Sequence, residues 1–170
     1  WAQYRGFLKA QDGYRQKRWW RRLAERWVQP GGQYRQQDNH PAENVSWYDA
    51  VPFCRWLSVH LGYEVRLPTE WEWQKAATSG DSARVYPWGA GADSAYANTW
   101  ESHLGRTTAV GVYPQGASPI GALDMSGNVW EWTRSPYQPY PYDASDDGST
   151  AGLDALWVIR GGAFNDDQQN

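Results

Sequence analysis

Thirteen tryptophans and eleven tyrosines stand beside only three phenylalanines in this chain of 170 residues. Each Trp or Tyr can bury a large apolar body, but its polar tip then needs a hydrogen-bond partner. Seventeen glycines and ten prolines accompany them. That combination points to a loop-rich fold held by aromatic side chains, not to a bundle with a Leu/Ile core. The length suits one domain or slightly more. A hydrophobic fraction of 41% with 21% charged residues excludes overall disorder. No apolar run approaches the roughly 18 to 20 residues that a membrane span needs. A net charge of −3 gives no overall electrostatic case for nucleic acid as a partner. Cys54 is the single cysteine, which excludes an intrachain disulfide and every cysteine-based zinc cluster. His40, His60 and His103 are too far apart for a local metal motif.

Along the chain, Trp1, Tyr4, Phe7 and Leu8 fall at helical spacing and predict a short amphipathic helix over 1–10. Arg18-Trp19-Trp20-Arg21-Arg22 could contact phosphate and stack on bases. The reading we favour has the tryptophans docked on the core and the arginines reaching outward. Ser46, with Asp49 three residues on, predicts a capped helix start. Trp47, Val51, Cys54, Trp56, Leu57 and Leu61 would form its apolar side, with Gly62 ending it and Pro52 kinking it or delaying its start. Cys54 reads as a small core hydrophobe, since no histidine is near it in sequence. After an extended piece at Val65–Leu67, Pro68-Thr69-Glu70 opens a second helix, with Pro in its first turn, that runs to Ser79-Gly80. Tyr86-Pro87-Trp88-Gly89 is turn chemistry, and Ala90–Ala97 reads as loop. Short strands are predicted at Val110–Tyr113, Asn128–Thr133 and Trp157–Arg160, and a long exposed loop at Tyr137–Gly152.

Four segments occur in a fixed order: Asn44-Val45-Ser46-Trp47-Tyr48-Asp49-Ala50, Arg66 to Trp73, Gly121 to Trp132, and Val158 to Phe164. Tyr86 to Gly89 and Ala97-Asn98-Thr99-Trp100 stand between them. Together they resemble the sulfatase-modifying-factor family, which includes the formylglycine-generating enzyme and a domain of the ergothioneine sulfoxide synthase. The resemblance covers residues 1–170 and implies one α+β domain of C-type-lectin-like fold, with two main helices, short antiparallel strands and much irregular loop. It also implies that the family's opening strands would precede Trp1 and its last strand would follow Asn170.

The resemblance further assigns a structural calcium ion to Asp124, Gly127, Val129 and Glu131, the carboxylates giving side-chain oxygens and the other two backbone carbonyls. Such an oxygen-only set suits a hard cation. The bland alternative has Asp124 ending a strand and Glu131 capping a turn. Asn98, which matches the family's other calcium site, reads instead as a loop brace, because the loop after it is short. The family's copper chemistry needs two soft thiolates. The first would fall at Asp166 and the second at position 171, so copper is not expected and no catalytic residue is assigned. Non-catalytic members, such as variable proteins of diversity-generating retroelements and domains of bacterial signalling proteins, use the scaffold to bind. There the segment after Arg-Gly-Gly contacts a ligand, which makes Asn165, Asp166, Asp167 and Gln168 candidate ligand-binding residues displayed on the surface. The alternative is an ordinary polar turn. The expectation is therefore a protein- or ligand-binding module, in a bacterial cytoplasm unless an upstream signal directs it elsewhere. The competing reading is an oxidoreductase-family domain supporting metal chemistry elsewhere in a longer chain.

Overall fold

In a computed structural model, which describes residues 1–23, 29–142, 152 and 155–168, the helices begin where side chains can close their first turns. Helix α1 spans Ala2–Lys9, α2 spans Trp47–Leu61 and α3 spans Glu70–Thr78. At α2, Ser46 accepts from the Asp49 N–H while the Asp49 carboxylate accepts from Ser46, a complete capping box. Thr69 and Glu72 repeat the device at α3. Pro68 therefore lies outside the helix, not in its first turn, because Thr69 takes the cap position. Gly62 at φ +75° and Ser79 at φ +55° end α2 and α3 in left-handed conformations. Helix α2 runs through Pro52 without a late start, and Pro52 is buried. Leu61, read as apolar-face, is 47% exposed, since the last turn projects past the core.

Strands β1, Glu131–Pro136, and β2, Trp157–Arg160, pair antiparallel, with Glu131 opposite Arg160 and Trp132 opposite Ile159. Two other strand expectations need correction. Val110–Tyr113 forms a turn instead of a strand, with Gly111 at φ +75°. The strand expected from Asn128 starts at Glu131, because Gly127 and Asn128 hold φ of +80° and +66°, which no extended strand tolerates. Val65–Leu67 is irregular and pairs with no strand among the described residues. Of the loop expected at Tyr137–Gly152, residues 137–142 are irregular as read, and most of the remainder lies outside the described residues.

The core is aromatic. Tyr4, Phe7, Tyr14, Trp19 and Trp20 are buried together, with Phe53 and Trp56 of α2 packed against them. Phe7 is fully buried, its ring centroid 5.6 Å from Tyr14 and 5.5 Å from Trp56. The indole N–H groups find main-chain acceptors: Trp19 donates to Asp12 O at 2.6 Å and Trp20 to Tyr14 O at 2.9 Å. Trp47 reaches Thr133 O at 2.9 Å and Trp132 reaches Val45 O at 2.7 Å, which ties the start of α2 and the residue before its cap to β1. These bonds meet the partner requirement for Trp19, Trp20, Trp47 and Trp132, whereas Trp1 Nε1, Tyr4 Oη and Trp157 Nε1 are buried with no partner among the described residues. Trp19 and Trp20 thus dock inward while Arg18, Arg21 and Arg22 stay exposed. Cys54 is half-buried, and desolvation pushes its thiol up to about 11, so it is no thiolate at neutral pH. No described helix is long and apolar enough to cross a membrane.

Candidate functional site

The turn between Asp124 and β1 is the structural centre of the site. Gly127 approaches a neighbouring backbone so closely that a Cβ there would lie 2.4 Å from the Asn98 carbonyl oxygen. Only glycine fits that approach at φ +80°. The Gly127 N–H donates to Gly161 O at 2.7 Å, the Asn128 N–H to Asn98 O at 2.7 Å, and the Phe164 N–H to Asn128 O at 3.1 Å. Three segments distant in sequence are thereby stitched together: 97–99, 124–131 and 161–164. Asn98, 1% exposed, donates from Nδ2 to Arg106 O at 2.9 Å and accepts the Ser102 hydroxyl at 3.0 Å. Its side chain is occupied as a loop brace.

Asp124 and Glu131 face one another electrostatically. Burial raises the Glu131 pKa, the Trp73 indole N–H donated to it at 2.6 Å lowers it, and the Asp124 charge raises it again. Asp124 accepts the Gly111 N–H at 2.6 Å and holds φ at +55°. The Asp124 charge disfavours ionisation of the buried Glu131, and the Gly127 and Val129 carbonyls belong to the short turn between them, so the oxygens here are carboxylate and carbonyl in type. That chemistry fits a hard divalent cation. No group of three or more His, Cys, Asp or Glu side chains suited to a metal occurs among the described residues, so any such site depends on the carbonyls.

The segment after Gly161-Gly162 departs from the surface-display expectation. Asn165 and Asp167 are exposed, Asp167 with its side chain on Glu101, whereas Asp166 and Gln168 are half-buried and bonded into the fold. The Asp166 carboxylate accepts the Ala163 N–H at 2.7 Å, and its carbonyl accepts the Trp100 N–H at 3.0 Å. The Gln168 N–H donates to Glu101 Oε1 at 3.0 Å, and its carbonyl accepts the Tyr86 hydroxyl at 2.7 Å. A short polar turn satisfies its own backbone this way, so part of its polarity is structural. Ala163 is buried and Phe164 half-buried, which holds the start of the segment against the fold. Gln169 and Asn170 lie outside the described residues.

Asp166, Asp167 and Gln168 nevertheless line one cavity of about 560 Å³ together with Trp73, Tyr86, Thr99, Trp130 and Gly161. Sequence reasoning missed two supports of this cavity. Glu101, held well below the usual carboxylate range by the Thr99 hydroxyl and the Gln168 N–H, anchors the segment's far end. On the near side, the buried Glu70 takes Arg160, Tyr140 and Tyr142 on its carboxylate, fixing where β2 delivers Gly161. Neither contact has a local signal, because the partners are 67 and 70 to 90 residues apart.

Comparison with known proteins agrees with this architecture. Residues 1–170 match the sulfatase-modifying factor enzyme 1-like domain. Hercynine oxygenase of Mycobacterium tuberculosis is 37% identical over 152 residues, covering 76% of this chain and 34% of that protein. The inactive C-alpha-formylglycine-generating enzyme 2 of Mus musculus is 36% identical over 138 residues, covering 74% of this chain and 43% of that protein. The chain thus spans about a third to two-fifths of the length of these relatives. Among solved structures, the variable protein 1 of Treponema denticola superposes with a TM-score of 0.61 over 82% of this chain and 66% of that one, at 23% identity, a likeness of fold. The helices, the small antiparallel sheet, the ordered motifs and these matches lead to one conclusion: the chain belongs to the sulfatase-modifying factor, or formylglycine-generating-enzyme, family, with its C-type-lectin-like fold.

Proposed function

We propose that this domain is a binding module whose ligand enters the cavity bordered by Asp166, Asp167 and Gln168, on a frame braced by a calcium ion at Asp124, Gly127, Val129 and Glu131. The observation that carries the reading is the state of Asp166. It stands where the family's first copper thiolate would fall, and its carboxylate is committed to the Ala163 N–H. A hard oxygen donor is a poor ligand for copper(I). What remains in the cavity is recognition chemistry: the large aromatic surfaces of Trp73, Tyr86 and Trp130 beside hydroxyl and carboxylate groups. The likeness to an inactive relative supports the same reading. Selection of a random peptide library on the immobilised chain tests it. Binders should be recovered, and Asn165→Ala with Asp167→Ala should weaken them while thermal melts stay the same. Binders indifferent to both substitutions would place the recognition surface elsewhere.

A second reading is favoured by the 37% identity to a hercynine oxygenase. In it the cavity forms part of an oxygenase site whose metal ligands come from another part of a longer chain. Joining this chain to such a segment and observing oxygen-dependent turnover that Asp166→Ala alters would support it over the binding module.

A further inference from the structure

A second cavity, of about 920 Å³, opens between the 3-10 turn Lys17–Trp20, helix α2 and the segment Val65–Leu67, with Trp157 of β2 at its base. Six of the chain's thirteen arginines line it: Arg18, Arg21, Arg22, Arg55, Arg66 and Arg134. Glu64 is the one acidic residue among its described lining residues. Such a concentration is notable in a chain of net charge −3. Part of the charge is answered locally. Arg66 is paired with Glu72 at 2.7 Å, and Arg18 stands 3.6 Å from Asp12 and over the Trp19 ring. Arg55 has no carboxylate partner among the described residues. Its Nη1 donates to Trp19 O at 2.7 Å and Arg21 O at 2.9 Å, which fixes the guanidinium at the cavity wall. Burial lowers its pKa from the ordinary arginine value, as desolvation without a counter-charge must. Arg21 and Arg22 are exposed at the rim, with no side-chain partner among the described residues.

The wall beside them is aromatic. Trp47 and Trp157 stack with centroids 3.7 Å apart and planes 5° apart. The Trp157 indole N–H is buried, with no hydrogen-bond partner among the described residues.

We propose that this cleft binds a small anion carrying a flat ring, of the nucleoside diphosphate class. Guanidinium groups match phosphate oxygens in pairs, and aromatic faces accept a planar ring. The volume is that of a small-molecule pocket, below what a folded partner or a duplex requires. The proposal is independent of the Asp166 cavity, since the two share no lining residue.

Calorimetric titration of the chain with ADP, pyrophosphate and adenosine tests it, with tryptophan fluorescence as a second readout. ADP should saturate, with pyrophosphate and adenosine each weaker by about tenfold or more, because each supplies half of the recognition. Arg21→Ala with Arg22→Ala should weaken ADP at least tenfold, and Arg55→Gln likewise, with circular dichroism unchanged. Arg106→Ala, an exposed arginine outside the cleft, should have no effect. Absence of saturation by ADP, equal weakening by Arg106→Ala, or binding confined to a single-stranded oligonucleotide would each overturn the proposal.

Discussion

Gly127 and Asp166 show how single residues set the site. At Gly127 the carbonyl of Asn98 occupies the space of a Cβ, and the backbone is left-handed. Gly127→Ala should lower stability by more than about 2 kcal/mol in urea unfolding, since strain and a main-chain clash add. Loss of under about 0.5 kcal/mol would mean the turn adapts. Asp166 reads in sequence as one of four displayed polar residues, yet its carboxylate closes a turn on Ala163. Asp166→Ala should therefore destabilise by about 1 to 3 kcal/mol, while the exposed Asn165→Ala stays within about 0.5 kcal/mol. Equal melts for the two variants would contradict the assignment. The difference was illegible beforehand because both residues are short, polar and adjacent to the glycine pair, and only the path of the backbone distinguishes them.

Helices were far more legible than strands, for a physical reason. Ser46 and Asp49 carry their capping information within one turn, and Gly62 marks its end locally. Thr69 and Glu72 offered the same signal at α3, which Pro68 masked by suggesting an earlier start. The strand expected at Val110–Tyr113 had the right residue types, but Gly111 at φ +75° turns the backbone there. At the element scale Glu72 also predicts a pH response. The Arg66 hydrogen bonds and ion pair hold its carboxyl down at about 2, against 4.5 for the free group. A depressed carboxylate contributes stability that is present above the unfolded value and lost as pH falls through 4.5 toward about 2. Glu72→Gln should flatten part of the decline in urea midpoint between those limits. An unchanged slope would show the pair to be too exposed to matter, since half of the Glu72 side chain faces water.

For the whole molecule, the ordered motifs identified the frame because each lies in a contiguous stretch, from Asn44 to Ala50 through Val158 to Phe164. The site was only half legible, since it is assembled where residues 97–99, 124–131 and 161–168 meet. Glu101 and Glu70 act on it across distances in sequence that no pattern spans. Calcium at the Asp124–Glu131 turn would couple these segments, and a ligand that binds only the folded state stabilises it by roughly 2.7 kcal/mol at about one hundred times its dissociation constant. Melts in calcium and in chelator should separate for the wild type and coincide for Asp124→Ala. Coincident wild-type melts would remove the ion from the frame. The most direct test of the central claim, that this cavity recognises a ligand without copper chemistry, is mass spectrometry of a cysteine-containing sulfatase peptide after incubation with the chain, copper(I) and oxygen. The account predicts an unmodified cysteine. Conversion of that cysteine to the formylglycine aldehyde would contradict it.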